Sequence, residues 1–165
     1  MKRSWKIILI AVTILMLFTT ACMRSDQFEK VAQETIDSTT FVKSNTAISA
    51  FRENGYELKE IDNKIRLGYQ SHDQTFPNVV FIKYFDENYI GLITGLPSLD
   101  AGWKYLIFPT YSDLVILSRN NLEVLFRKRI YESVSDLNLK DRYIYFEYGE
   151  YPDLKYGRFP FPFPE

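Results

Sequence analysis

The feature that most constrains the fold of this chain is an alternation of apolar and polar residues that begins at Tyr56. Alternation with a period of two places apolar side chains on one face of a β-strand. The signal is clearest at residues 79–85 and 89–94, which are rich in β-branched and aromatic residues and flank an Asp-Glu-Asn turn. This pair of segments predicts a β-hairpin.

Further segments of the same kind bring the expected number of strands to about seven or eight. Residues 114–118 and 122–126 flank Asn120-Asn121 and indicate a second hairpin. A helix over residues 113–126 is the alternative, because Asn-Asn also tolerates a helical cap. Few helical segments lie between the strands, which disfavours a parallel βαβ sheet and favours antiparallel pairing in one domain.

Two segments before the strands have helical spacing. The first, over about residues 26–37, contains four apolar residues in register: Phe28, Val31, Ala32 and Ile36. The second, over about residues 46–54, has Asn45 as a predicted N-cap and Gly55 as the residue that closes the helix. The expected fold class is therefore α+β, with one or two N-terminal helices followed by a mostly antiparallel sheet of about seven or eight strands.

The first 22 residues have the three parts of an export signal. Lys2, Arg3 and Lys6 form a positive start, residues 7–18 are uncharged and apolar, and small residues follow. The apolar run is 12 residues long, whereas a helix needs roughly 20 to span a bilayer. We expect export followed by cleavage. An uncleaved signal anchor is the alternative, because the uncharged run can be extended to Met23.

The residues Phe18-Thr19-Thr20-Ala21-Cys22 resemble the lipobox of bacterial lipoproteins. The resemblance implies that the Cys22 sulfur receives a diacylglyceryl group and that a peptidase then cuts between Ala21 and Cys22. Cys22 is the only cysteine in the chain, which suits an exported domain that avoids unwanted oxidation. We expect the protein to be lipid-anchored at the extracytoplasmic face of the cell membrane, within the cell envelope.

Four segments follow from these features. They are a signal peptide (1–21), a lipid-anchored polar and helical lead segment (22–44), the α+β domain (45–157) and an extended Phe-Pro tail (158–165). The signal carries three cations and no carboxylate, so the mature part has 17 Lys and Arg against 21 Asp and Glu, a formal charge of −4. A mildly acidic body disfavours nucleic acid as a partner.

Signals for catalysis and metal binding are weak. His72 lies in Ser71-His72-Asp73 within a predicted loop over residues 70–78, and three consecutive residues cannot converge as a catalytic relay. One histidine and no free cysteine leave few ligands for a transition metal. The candidate carboxylates for paired acid and base catalysis are Asp86, Glu87, Glu147, Glu150 and Asp153. We expect no enzyme activity, no cofactor and no metal.

The chain also contains one basic triplet, Arg127-Lys128-Arg129. On an exposed strand such a triplet is most simply a solvated edge that discourages pairing with other chains. Contact with an anionic cell-wall polymer or with lipid headgroups is the alternative.

Aromatic residues near the C-terminus are the best candidates for contact with a partner or a glycan. Tyr143 and Tyr145 would share one face of a strand, with Ile144 and Phe146 on the other. The Phe-Pro tail lacks three backbone donors, which predicts an extended segment that cannot be a central strand. It would dock on its own domain, in a partner's groove or at the membrane interface. The candidate contacts are Tyr143, Tyr145, Tyr148, Tyr151, Phe159, Phe161 and Phe163.

These observations favour an extracytoplasmic lipoprotein that acts by protein binding, as an accessory or inhibitory subunit of the envelope. The first alternative is a cell-wall or carbohydrate-binding lipoprotein that uses its tyrosines, with weak hydrolysis by Glu147 or Glu150. The second is a structural or assembly factor without a ligand.

Overall fold

The computed structural model describes residues 28–36, 41, 44–62, 64–77, 79–95 and 111–161. Within them lie one α-helix, α1 (Ser44–Glu53), a 3-10 turn (Gln33–Thr35) and eleven strands. The strands are β1 (Glu29–Val31), β2 (Glu57–Ile61), β3 (Lys64–Tyr69), β4 (His72–Phe76), β5 (Val80–Phe85), β6 (Tyr89–Gly95), β7 (Ser112–Ser118), β8 (Val124–Ile130), β9 (Val134–Lys140), β10 (Tyr143–Tyr148) and β11 (Lys155–Pro160). None of the helices in these ranges is long and apolar enough to span a bilayer.

The predicted α+β class is wrong, because the described chain is mostly β and α1 is its only α-helix. In place of the helix predicted over residues 26–37, the described part of that segment forms β1 and the 3-10 turn. Phe28 explains the difference, since its ring packs edge-on against Phe146 at 5.0 Å and Phe159 at 6.0 Å. These distant contacts outweigh a weak local helical pattern.

The strands form three sheets in which every pairing is antiparallel. The front sheet has the order β1-β11-β10-β9, the central sheet β5-β6-β7-β8 and the back sheet β2-β3-β4. The loop predicted over residues 70–78 is also wrong, because β4 occupies most of it and pairs with β3. The higher strand number comes largely from β1, β4 and β11.

The two inner strands of the central sheet, β6 and β7, are buried on both faces. In β7, Leu114 and Ile116 join the core shared with the front sheet, whereas Val115 and Leu117 join the core shared with α1 and the back sheet. Each of these four side chains is 0 % exposed, and burial of one such side chain is worth about 1.5–3 kcal/mol. Two apolar faces explain why this segment is a continuous apolar run rather than an alternating one.

Helix α1 confirms the helix predicted over residues 46–54, although it begins at Ser44 and includes Asn45 in its first turn. Ala47 and Phe51 lie one turn apart and are both buried in the second core. Gly55 follows the helix with a φ of 83°, a left-handed conformation that glycine adopts without strain. The Tyr56 ring then lies 5.1 Å from that of Phe51.

The hairpin predicted around Asn120-Asn121 is confirmed, and the alternative helix over residues 113–126 is wrong, because β7 and β8 pair antiparallel. Arg119 holds the connecting turn against the neighbouring one. Its backbone N–H donates to the Asn88 carbonyl at 2.8 Å, and its Nη1 donates to the Asp86 carbonyl at 2.9 Å. The position of this turn therefore depends on contacts between two hairpins.

Strand β11 lies between β1 and β10, so the prediction that the Phe-Pro segment cannot be a central strand is wrong for residues up to Pro160. The Phe161 N–H donates to the Arg142 carbonyl at 2.9 Å. Because backbone groups alternate in direction along a strand, the Pro160 nitrogen faces away from β10. On the side of β11 that faces β1, Pro160 lies beyond the last paired residue, because β1 pairs only with residues 156–158. Among the described residues, the missing donor therefore removes no hydrogen bond from either strand pairing of β11.

Two residues of the basic triplet bind one buried carboxylate. Arg127 Nη2 lies 2.7 Å from Asp113 Oδ2, and Arg129 Nε lies 2.7 Å from Asp113 Oδ1. The Asp113 side chain is only 5 % exposed, whereas both arginines are about half exposed. Burial by itself would raise the pKa of Asp113, but the hydrogen bonds from Arg129 and Arg127 outweigh it and hold this pKa below its usual value.

The Asp113→Asn variant is expected to lower the free energy of unfolding by about 2 kcal/mol at neutral pH, because two charge-assisted hydrogen bonds are weakened. A lowered pKa in the folded state gives stability that is present above roughly pH 4 and is lost as the pH falls. Urea unfolding from neutral to acidic pH should therefore show the wild type and the variant converging at the acid end. Parallel curves would contradict this role of the Asp113 carboxylate.

Candidate functional site

The outer surface of the front sheet carries an aromatic and charged face. In β10 the side chains alternate: Ile144, Phe146 and Tyr148 are buried, whereas Tyr143 and Tyr145 on the other side are half-buried. Strand register places Arg158 of β11 beside Tyr145, and Glu29 of β1 beside Arg158. We call this surface the tyrosine face. Its members are Tyr143, Tyr145, Tyr156, Arg158, Glu29 and Glu147.

Arg158 is the centre of the tyrosine face. Its Nε and Nη2 lie 2.8 and 2.5 Å from the two carboxylate oxygens of Glu29, a bidentate pair. Its guanidinium carbon lies 4.2 Å from the centre of the Tyr143 ring, and its Nη1 donates to the Tyr145 hydroxyl at 3.3 Å. The hydrogen bond from Arg158 lowers the pKa of Glu29. The guanidinium therefore holds two tyrosines and one carboxylate in a fixed arrangement.

The other half of the face is organised by Glu147. Its Oε1 accepts a hydrogen bond of 2.6 Å from the Ser135 hydroxyl. Tyr156 lies opposite Glu147 on β11, and partial burial followed by the Glu147 charge raises the pKa of its phenol. The Phe41 ring stacks on that of Tyr156 at 5.9 Å. Both groups are thus held by neighbours on the same surface.

The structure divides the predicted contact residues among three environments. Tyr143 and Tyr145 lie on the tyrosine face, as their spacing predicted. Tyr151 is 89 % exposed on the turn between β10 and β11. Tyr148, Phe159 and Phe161 are buried in the core between the front and central sheets. Cys22 and Phe163 lie outside the described residues.

Sequence reasoning missed Tyr156, Arg158 and Glu29 as members of this surface. Tyr156 and Arg158 are separated by Gly157, a spacing of two that would have signalled a shared strand face. The predicted domain boundary between residues 157 and 158 hid that signal. Glu29 could not be found locally, because it reaches Arg158 across 129 positions of sequence.

Three of the residues considered for catalysis lie on three different sheets: His72 is in β4, Asp86 is in the turn after β5, and Glu147 is in β10. His72 lines a polar depression of about 440 Å³ on the back sheet, together with residues that include Arg66 and Ser71. Asp86 closes a turn instead, since its Oδ1 accepts from the backbone N–H groups of Asn88 and Tyr89 at 2.8 and 2.7 Å. Among the described residues no group of three or more histidine, cysteine or acidic side chains is placed to hold a metal ion.

The geometry defines a class: a three-layer antiparallel β-protein with an aromatic and charged face on one outer sheet. Comparison of the chain with protein-family models, with curated protein sequences and with solved structures finds no match.

Proposed function

We propose that this protein is a lipid-anchored extracytoplasmic lipoprotein that binds another envelope protein, as an accessory or inhibitory subunit, through the tyrosine face. The observation that carries the proposal is the bidentate Glu29–Arg158 pair with Tyr143 and Tyr145 around the guanidinium. Tyrosine and arginine, together with tryptophan, are enriched among the residues that contribute most binding energy at protein interfaces. Holding them in advance lowers the entropy lost on binding.

The same contacts favour a protein over a glycan as the partner. A sugar ring stacks on an open aromatic face, but Arg158 covers one face of Tyr143 and Phe41 stacks on Tyr156. The rings of Tyr143 and Tyr145 are inclined by 56°, so they do not form one flat platform. A protein surface can instead supply groups of matching shape for inclined rings and for the Glu29 carboxylate.

The proposal is tested with a photoreactive benzoylphenylalanine at position 145 in the full-length protein, in the cells that normally make it. We expect a discrete crosslinked product from position 145. The matched control is the same group at Phe81, an aromatic residue of the central sheet that is 44 % exposed. Crosslinking from both positions alike, or from Phe81 alone, would contradict the proposed surface.

Once the partner captured by crosslinking has been identified, the second measurement compares its affinity for the wild-type protein with its affinity for the Tyr145→Ala variant. Truncating a central tyrosine is expected to weaken binding about 30-fold, because a hot-spot residue is worth about 2 kcal/mol. The Phe81→Ala variant should bind as the wild type does. If Tyr145→Ala instead abolishes binding to isolated cell wall and leaves the crosslinked protein bound, the partner is a glycan and the proposal fails.

A further inference from the structure

A further concave site lies on the inner side of the front sheet, the side that faces the central sheet. It is a pocket of about 260 Å³ at the end of the sheet where β1 ends and β11 begins. Its lining comes from β1, the 3-10 turn, β10 and the residues that enter β11, and includes Lys30, Val31, Tyr148, Leu154 and Lys155. We call it the lysine pocket.

Strand register places both lysines on that inner side. Lys30 lies opposite Gly157, at which an added Cβ would meet the Phe146 ring of the core. Lys155 lies opposite Tyr148, whose side chain is buried in the same core. Directly opposite side chains share one face of a sheet, and diagonal neighbours such as Lys30 and Lys155 lie about 7–8 Å apart. Both flexible side chains can therefore reach one small anion between them.

The two ammonium groups have no counter-ion among the described residues. Glu34 and Asp153 are each next in sequence to a residue that lines the pocket, but neither forms an ion pair with these lysines. Lys59 of the back sheet, in contrast, is paired with Glu57. Two uncompensated like charges repel each other, so an anion that lies between them is favoured.

The rest of the lining is mostly apolar. It includes Leu154, which is half-buried, and Tyr148, whose ring lies 5.1 Å from that of Phe28. Ligand sites commonly combine an apolar cleft with a few polar groups that fix the orientation of the ligand. The volume lies just below the roughly 300–1,000 Å³ of pockets for drug-sized ligands. The occupant that fits is therefore small, with an apolar group and one anionic group.

We propose that the lysine pocket binds a small amphipathic carboxylate, which is an aromatic or branched aliphatic group joined to a carboxyl group. The carboxylate would lie between Lys30 and Lys155, and the apolar group would cover Leu154. A carboxylate is the smallest common organic anion, which suits the limited volume. Such a group occurs in free organic acids and at the C-terminus of a peptide that ends in an apolar residue. The pocket and the tyrosine face lie on opposite sides of the front sheet, so this inference does not depend on the proposed function.

The test titrates N-acetylphenylalanine into the isotope-labelled full-length protein, held in micelles of a nonionic detergent, and follows the backbone amide signals by NMR. We expect saturable shifts at residues 30–33 and 154–156. The matched control ligand is N-acetylphenylalaninamide, which has the same apolar group without the charge and enters micelles at least as readily. Its affinity should be about tenfold lower, because it loses two ion pairs.

Substitution of the lysines tests the same contacts from the protein side. Lys155→Gln should weaken the binding of N-acetylphenylalanine about threefold, as expected for one exposed ion pair, and the double change with Lys30→Gln about tenfold. The matched control is Lys64→Gln, because Lys64 is likewise an exposed lysine at the first residue of a strand. This variant should bind as the wild type does.

Three results would overturn the proposal: equal affinity for the acid and the amide, equal weakening by Lys64→Gln and Lys155→Gln, or shifts confined to the depression beside His72. N-acetylleucylphenylalanine then separates the two sources of the carboxylate. Tighter binding of this dipeptide than of N-acetylphenylalanine supports the pocket as a site for a peptide C-terminus. Equal or weaker binding of the dipeptide supports it as a site for a free organic acid.

Discussion

Cells that produce the Cys22→Ser variant are expected to incorporate no palmitate analogue into this protein, and the variant should accumulate with its signal uncut. The reason is that a thioether to diacylglycerol needs a thiol, and Cys22 carries the only one in the chain. Two acyl chains give a stable anchor where one is marginal. Metabolic labelling, together with the mobility of the protein on a gel before and after the substitution, measures the change.

The control for this experiment is Ser25→Ala, which alters the same segment and leaves the thiol in place. It should label and mature as the wild type does. Palmitate labelling that survives Cys22→Ser, or recovery of mature wild-type protein from the cytosol, would contradict lipid attachment at this residue. The domain itself should fold alike in both variants, because neither position lies in the described strands.

The Gly157→Ala variant is expected to lower the free energy of unfolding by about 3 kcal/mol, the upper part of the range for overpacking a tight core. A Cβ at this position of β11 would lie 2.4 Å from Phe146 Cζ and 2.7 Å from Phe28 Cδ2. Both rings are enclosed by other aromatic residues and cannot retreat without disturbing the front sheet. Urea denaturation of the purified domain gives the measurement.

The matched control is Gly68→Ala, another glycine within a strand, where an added Cβ meets nothing within 4 Å. This change should be neutral or stabilise the domain by up to about 1 kcal/mol, because alanine reduces the freedom of the unfolded chain. A Gly157→Ala variant as stable as Gly68→Ala would mean that the rings of Phe28 and Phe146 do not pack over β11. The contact that anchors β1 would then be in doubt as well.

The local sequence pattern was sufficient to predict two kinds of element: a helix stabilised mainly by its own residues, and hairpins whose two strands are adjacent in sequence. The hairpin of β5 and β6, the hairpin of β7 and β8, and helix α1 with Gly55 all lie close to where their sequences predicted them. Turn residues and apolar period act over a few positions, so one short window contains the relevant information. The same is true of the shared strand face of Tyr143 and Tyr145.

Two of the incorrect predictions involve contacts between segments that are distant in sequence. A helical spacing at residues 26–37 was overruled by Phe28 docking on rings more than a hundred positions away. Pro160 was judged unfit for an interior strand, but its nitrogen lies past the end of β1, and only the register shows this. The basic triplet lies exposed on the edge strand β8, as predicted, although its pattern did not show that Asp113 of the neighbouring strand binds two of its members.

The sequence by itself determined the alternating strands, the short helix and the expectation of a lipid anchor, because each depends on neighbouring residues and their intrinsic preferences. Only the tertiary structure decided the fold class, since β1 and β11 become strands through pairing with each other and with β10. It also decided the tyrosine face. Glu29 contacts Arg158 because β1 and β11, which are far apart in sequence, pair side by side in the fold. The free energy of that pairing cannot be inferred from a short stretch of sequence.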